Sequence, residues 1–221
     1  FSTQTTGATF SCSLDGAAFT ACPSPYTISP VAVGQHTFAV RATDTAGNPD
    51  PTPATFTWTV TPPLPPLTAS CGQVVVTSGL LLNDVTNCPG DGLVIGAHGI
   101  TLNLNGHTVD GIGLGVGIRN DGFDGVTINH GTVQEFDVGV QLNSGTAFNT
   151  LTALTLRLNQ VVGIELLDAD DGSNGNSLIA NAVTGNSGGI RLGNGTTGTT
   201  IAQNALTDNA NFALSLLSSD H

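Results

Sequence analysis

Lysine and methionine are absent from the 221 residues, tryptophan and tyrosine occur once each, and four arginines supply all the side-chain positive charge outside histidine. Neutralising a phosphate backbone takes clustered Lys or Arg, so the composition excludes nucleic acid as a partner and disfavours an anionic membrane surface. Charged residues make up only 9% of the chain, with net charge −12 and 29 glycines, which describes a weakly acidic surface of neutral polar groups. No apolar run reaches the length of about 18 residues that a membrane-spanning helix needs. No signal peptide is visible, and a mature secreted chain has already lost its own.

Also missing are a Gly-x-Ser-x-Gly elbow, a phosphate loop and a Cys-His nucleophile setting. His36, His98, His107, His130 and His221 are scattered without metal-ligand spacing. The four cysteines fall as two local pairs, Cys12 with Cys22 and Cys71 with Cys88. That parity suggests two disulfides and an oxidising compartment, with free buried thiols as the alternative. The C-x2-4-C spacing of a zinc site is absent.

What is present divides at the segment Thr61-Pro62-Pro63-Leu64-Pro65-Pro66-Leu67. Proline removes ladder donors and holds the chain near polyproline II, so residues 62–70 are expected to be a linker between residues 1–61 and residues 71–221. Before it, the runs Ala8 to Leu14, His36 to Ala42 and Ala54 to Val60 alternate with period two, and Asp15-Gly16 marks a turn, so an antiparallel β-sandwich is expected.

The stretch Phe10-Ser11-Cys12-Ser13-Leu14-Asp15-Gly16-Ala17-Ala18-Phe19, with Gly34 to Phe38 and Arg41-Ala42-Thr43-Asp44-Thr45-Ala46-Gly47-Asn48, resembles bacterial Ig-like repeats. That family's pattern begins with two further strands, whereas this chain opens at Phe1-Ser2-Thr3. The resemblance therefore implies an incomplete sandwich, which arises either from a fragment or from completion of its open edge by a strand of a neighbouring molecule.

After the linker a repeat takes over. Ile118, Val140, Ile164, Ile190 and Leu214 head similar short strands at intervals of 22, 24, 26 and 24. A near-constant period with strands in each repeat is a solenoid signature. A second register aligns Val126, Leu151, Leu178 and Ile201. Eight residues beyond these lie Gln134, Asn159, Asn186 and Asn209, so the reading expects an Asn ladder of Asn159, Asn186 and Asn209 at a turn. Gly, Asn and Thr at this density cannot sustain an α-helical solenoid.

This pattern, with the opening Asn87-Cys88-Pro89-Gly90-Asp91-Gly92-Leu93 and Ile100 to Gly111, is similar to the right-handed parallel β-helix superfamily that includes the pectate lyases. The expected fold class is all-β, an incomplete N-terminal Ig-like sandwich followed by a right-handed parallel β-helix solenoid. The resemblance covers residues 71–221 and carries no particular chemistry, because the fold hosts lyases, hydrolases, epimerases, adhesins and spikes alike.

Likeness to pectate lyases implies an Arg or Lys base beside acidic calcium ligands. Only Arg119, Arg157 and Arg191 are available, and Arg119 and Arg191 read better as part of an ion-pair ladder centred on Glu165. Asp168, Asp170 and Asp171 form the densest acidic group, and Asp121 and Asp124 occupy the corresponding turn two coils earlier. Hard oxygen ligands at such spacing suit calcium or a glycan, while solvated Asp/Gly turns are the plainer reading. Asn194-Gly195-Thr196 is a glycosylation sequon. Carbohydrate-binding surfaces want aromatic platforms, and the repeat region offers only Phe123, Phe136, Phe148 and Phe212.

The sequence is therefore read as a secreted or cell-surface structural protein without a required cofactor. It is expected to self-associate into a filament or adhesive assembly by strand completion or end-to-end contacts. A polysaccharide lyase or hydrolase, or a non-catalytic glycan binder, is the alternative.

Overall fold

The computed structural model describes residues 1–4, 6–167, 175–193 and 195–217. It contains two compact units, Phe1–Pro63 and Leu64–His221. The described residues are all-β, and no helix among them is long and apolar enough to cross a membrane.

The first unit is a small antiparallel sheet of β1 (Thr9–Leu14), β2 (Thr20–Ala21), β3 (Gly34–Thr43) and β4 (Ala54–Val60), in the order β2-β1-β3-β4. Asp15 and Gly16 both take positive φ, and the Ala17 amide closes the turn on the Leu14 carbonyl at 3.0 Å. Register places Phe38 opposite both Leu14 and Phe56, and His36 opposite Trp58. Residues two apart share a face, so Phe10, Cys12, Leu14, Phe38, Val40, Phe56 and Trp58 line one side and Thr55, Thr57 and Thr59 the other. Among its described residues this unit has one sheet. Tyr26 stacks on Phe38 at 5.7 Å and Phe1 meets Phe10 edge-on at 5.0 Å, yet Phe56 is still 67% exposed. A disulfide between Cys12 and Cys22 ties β1 to the segment after β2.

His36 is the buried ionisable group of this unit, 8% exposed. Its Nδ1 lies 2.8 Å from Asp15 Oδ2 and its Nε2 lies 2.8 Å from the Ala32 carbonyl. Both partners are acceptors, so the doubly protonated ring satisfies both contacts. The hydrogen bond to Asp15, and then that to Ala32, raises the pKa of His36 above its ordinary 6.5. Asp15 is lowered from its ordinary 3.8, first by the His36 hydrogen bond and then by the Thr37 amide. The His36 contribution to stability is complete below pH 6.5 and fades as pH rises through the raised folded value, whereas the Asp15 contribution is complete above pH 3.8 and fades as pH falls through the lowered one. Trp58, the sole tryptophan, sits 5.6 Å from His36 and reports on this unit alone. The urea midpoint of its fluorescence is expected to be higher at pH 5 than at pH 9, and the difference is expected to vanish in His36→Gln.

The second unit is a parallel β-solenoid of about six turns. Three columns of strands form it. The first holds β5 (Pro66–Leu67), β7 (Gly79–Leu81), β10 (Thr101–Asn103), the first halves of β13 (Thr127–Gln134) and β15 (Thr150–Arg157), β17 (Ser177–Ile179) and β20 (Thr200–Ala202). The second holds β8 (Val85–Cys88), β11 (Thr108–Gly111), the second halves of β13 and β15, β18 (Ala182–Thr184) and β21 (Ala205–Thr207). The third holds β6 (Gln73–Val75), β9 (Leu93–Ile95), β12 (Val116–Asp121), β14 (Val138–Asn143), β16 (Val162–Leu167), β19 (Gly188–Leu192) and β22 (Phe212–Leu216). Within the proline-rich stretch read as linker, Pro66–Leu67 already pairs with Leu80 and Leu81.

Each column contributes a stack of inward side chains. In the third column Leu93, Ile118, Val140, Ile164, Ile190 and Leu214 pair in succession, which is the register read from their spacing. In the first, Leu102, Ile128, Leu151, Leu178 and Ile201 do so. Val126 therefore does not head that register: it lies two residues ahead of Ile128, at the preceding corner. In the second, Val109, Val133, Leu156, Val183 and Leu206 stack. Most of these side chains are fully buried, each contributing about 1.5 to 3 kcal/mol by its removal from water.

The first coils carry the disulfide Cys71–Cys88, whose half Cys88 is fully buried. It bridges a sequence separation of 17 and joins the turn before β6 to the end of β8. By loop closure it stabilises the unit by about 3 kcal/mol. The Cys71→Ala/Cys88→Ala double variant is expected to show that loss as a lowered urea midpoint in far-ultraviolet circular dichroism, with the Trp58 transition unmoved.

Candidate functional site

The residues that set the geometry of the solenoid are asparagines at its corners. In each regular coil three corner positions follow one another five residues apart: 126, 131 and 136, then 149, 154 and 159, then 176, 181 and 186, then 199, 204 and 209. The residue before each corner position has positive φ, from Gly125, His130 and Glu135 through Gly198, Gln203 and Asp208. Such a backbone turns the chain sharply and leaves the next residue pointing inward with its amide free.

Asparagine answers that free amide. Asn149 Oδ1 accepts from the Val126 amide at 2.8 Å and Asn176 Oδ1 from the Asn149 amide at 2.9 Å, which makes a ladder at the corner between the third and first columns. Asn181 and Asn204 do the same for the Leu154 and Asn181 amides at the next corner. At the third corner Asn159, Asn186 and Asn209 receive the Phe136, Asn159 and Asn186 amides. Their Nδ2 groups donate back to carbonyls such as Leu151, Leu156 and Leu178. The expected ladder Asn159, Asn186, Asn209 is thus one of three. Gln134 does not head it: Gln134 pairs with Arg157 on the strand, and Phe136 occupies the corner. The two other ladders escaped the sequence reading, although Asn176-x4-Asn181-x4-Asn186 carries the signal.

One member lacks its full set. By the pattern of the others, Asn149 Nδ2 would donate to the Phe123 carbonyl. That acceptor is taken by Asn120 Nδ2 at 2.8 Å, and Asn149 Nδ2 is left buried without a partner.

The outward row of the third column holds Arg119, Gln141, Glu165 and Arg191 in register. Gln141 Nε2 donates to Glu165 Oε2 at 2.9 Å and Arg191 Nη1 to Glu165 Oε1 at 2.8 Å, so both oxygens of this 4%-exposed carboxylate are engaged. Arg119 turns the other way, to Asp91 at 2.6 Å and Asp121 at 3.9 Å. The ladder expected around Glu165 therefore ends at Gln141, and Asp91 is a participant that the sequence did not single out. A second chain on the neighbouring face runs from Arg157 Nε to Gln134 Oε1 at 2.8 Å and from Gln134 Nε2 to Asp110 Oδ1 at 2.8 Å.

Asp121 and Asp124 share one turn but serve different contacts. Asp124 Oδ1 accepts the Ala147 amide of the next coil at 2.7 Å, and its own amide donates to His98 Nδ1 at 2.9 Å. His107 pairs with Asp84 at 3.0 Å. Asp84 also accepts the Thr108 amide, and that bond, followed by the one from His107, holds its carboxyl below the usual range. Asp168, Asp170, Asp171 and Asn194 lie outside the described residues. Among the described residues no three His, Cys, Asp or Glu side chains converge as a metal site.

Comparison with family models, with curated proteins and with solved structures finds no match for this chain.

Proposed function

We propose that this chain is an extracellular structural protein, a subunit of a cell-surface filament or adhesive assembly that builds by strand addition. In this reading the solenoid is a right-handed β-helix of the kind found in the pectate-lyase superfamily, and the N-terminal sheet is part of a bacterial Ig-like domain. The observation that carries it is the last described coil. Among the described residues no strand pairs with the outer side of β20, β21 or β22, whose residues Ile201, Leu206, Leu214 and Leu216 continue the core columns. Leu214 is 42% and Leu216 68% exposed, so apolar surface and unpaired ladder groups coincide, a combination that templates further strands. Two disulfides fit an oxidising, extracellular setting.

A polysaccharide lyase or hydrolase of the same fold gains no support from the third column, where Asp91 and Glu165 are already tied to arginines. Calcium at Asp121 and Asp124 forms no part of the proposal. Sedimentation velocity and negative-stain electron microscopy of the purified chain test it. Rods that lengthen with protein concentration, and that the Leu214→Glu/Leu216→Glu variant abolishes, are expected. A wild-type chain that stays monomeric at every concentration, or a double variant that assembles as wild type, overturns it.

A further inference from the structure

At the corner between the third and first columns, one coil departs from its neighbours. The left-handed position is glycine in four coils, Gly99, Gly125, Gly175 and Gly198, but phenylalanine in the fifth, Phe148, at φ 57°. A bulky side chain is disfavoured there, and this one is 70% exposed, so it contributes little to the core. Its ring lies over the next coil: a Cβ built on Gly175 would come within 3.1 Å of Phe148 Cδ1 and Cε1. The ring is thus a supported platform, resting on a glycine backbone and open to solvent.

Beside the platform runs a row of hydroxyls. The outward position at the start of the first column is Ser78, Thr101, Thr127, Thr150, Ser177 and Thr200 in six successive coils. Parallel pairing sets these side chains about 4.7 to 4.9 Å apart along the stack. Ser78 Oγ accepts the Thr101 amide, while no hydrogen bond among the described residues engages the hydroxyls of Thr127, Thr150 and Ser177. No residue of the row ionises.

We propose that Phe148 and the adjoining hydroxyl row form a binding site for a neutral glycan. A pyranose presents a C–H face that packs on an aromatic ring, and an edge of hydroxyls that pairs with groups able both to donate and to accept, as serine and threonine do. A nucleobase would stack equally well, but its phosphates call for cations that this row and a chain of net charge −12 do not supply. An acidic glycan lacks a counter-charge here for the same reason. The site is independent of assembly through the last coil.

Co-sedimentation with microcrystalline cellulose, chitin and insoluble mannan tests the site. The wild-type chain is expected to be retained by at least one of them. Phe148→Gly is expected to weaken retention at least tenfold without lowering the thermal midpoint, because glycine is the residue the backbone favours at that position. Phe148→Tyr, which keeps the ring, is expected to bind as wild type, and Thr150→Val to bind several-fold more weakly. A wild-type chain retained by none of the three, undiminished retention in Phe148→Gly, or equal loss in the glycine and tyrosine variants overturns the proposal.

Discussion

Replacing Asn186 by leucine is expected to lower the unfolding free energy of the solenoid by about 3 to 5 kcal/mol, although the two side chains are similar in size. Asn186 is 2% exposed, and its side chain makes five hydrogen bonds, one of them from Nδ2 to the Thr184 carbonyl at 3.3 Å. Its Oδ1 accepts from both the amide and the Nδ2 of Asn159, at 3.0 and 2.8 Å, and its Nδ2 donates to the Leu156 carbonyl at 2.9 Å and to Asn209 at 3.1 Å. Leucine leaves the buried Asn159 amide without a partner and Asn159 Nδ2 with only the Val133 carbonyl at 3.4 Å, and each orphaned buried group costs about 1 to 3 kcal/mol. The gain in apolar burial does not offset this, since the orphaned groups are buried and cannot turn to water. Asn209→Leu, in the half-buried last rung, is expected to cost clearly less, because its neighbours are closer to solvent. Urea unfolding followed by circular dichroism reads both values, and equal losses in the two variants would show that the corner amides are not what the asparagines serve.

The same ladders explain how much of this architecture was legible in advance. Ile118, Val140, Ile164, Ile190 and Leu214 gave the third column because its strands all begin with a similar motif and vary only in the loops between them. Alternation alone does not separate Val126 from Ile128 as the first-column residue, because Val126-Thr127-Ile128 alternates and both apolar residues are buried. Counting eight residues from Val126 falls on Gln134, two short of Phe136 at the corner. The left-handed residues before the second and third corners have no common identity, running from His130 and Leu158 to Ala180 and Asp208, so a glycine pattern announces only the first corner. What was available is the five-residue step between corners, which the chain spells in full only at Asn176, Asn181 and Asn186. The ion pairs were harder still: Arg119 chose Asp91 over the Glu165 row, a preference set by side-chain reach across the stack rather than by register.

The N-terminal sheet illustrates the opposite limit. Its strands and its Asp15-Gly16 turn follow from local alternation, but an apolar face says nothing about what covers it. The described residues of this unit form a four-stranded antiparallel sheet with Phe56 exposed, which is as far as local alternation reaches.

Glycine in the third column is where the largest effect of a small substitution is expected. Gly117, Gly139, Gly163 and Gly189 stand in one line up the stack, flanked on each coil by paired residues such as Val138 with Val162 and Val140 with Ile164. Alanine ordinarily improves a strand glycine by reducing the freedom of the unfolded chain. Here a Cβ on Gly163 would meet Val183 Cγ1 at 2.5 Å, and Asn186 Nδ2 and the Gly189 carbonyl oxygen at 3.1 Å each. Val183 is fully buried and cannot move aside, and Asn186 is held by the ladder, so the added methyl presses on the core and on a corner at once. Gly163→Ala is expected to cost about 2 to 3 kcal/mol by overpacking, and Gly163→Val more than that. Ala213, the next residue of this line, lies on the edge strand β22 and is exposed, which is consistent with the restriction applying where another coil stacks above. The Gly163→Ala/Val183→Ala double variant makes room for the methyl and is expected to be more stable than the sum of the two single losses by at least 1 kcal/mol, the sign of direct contact. Additive losses would place the strain of Gly163→Ala in the backbone of the third column rather than against Val183.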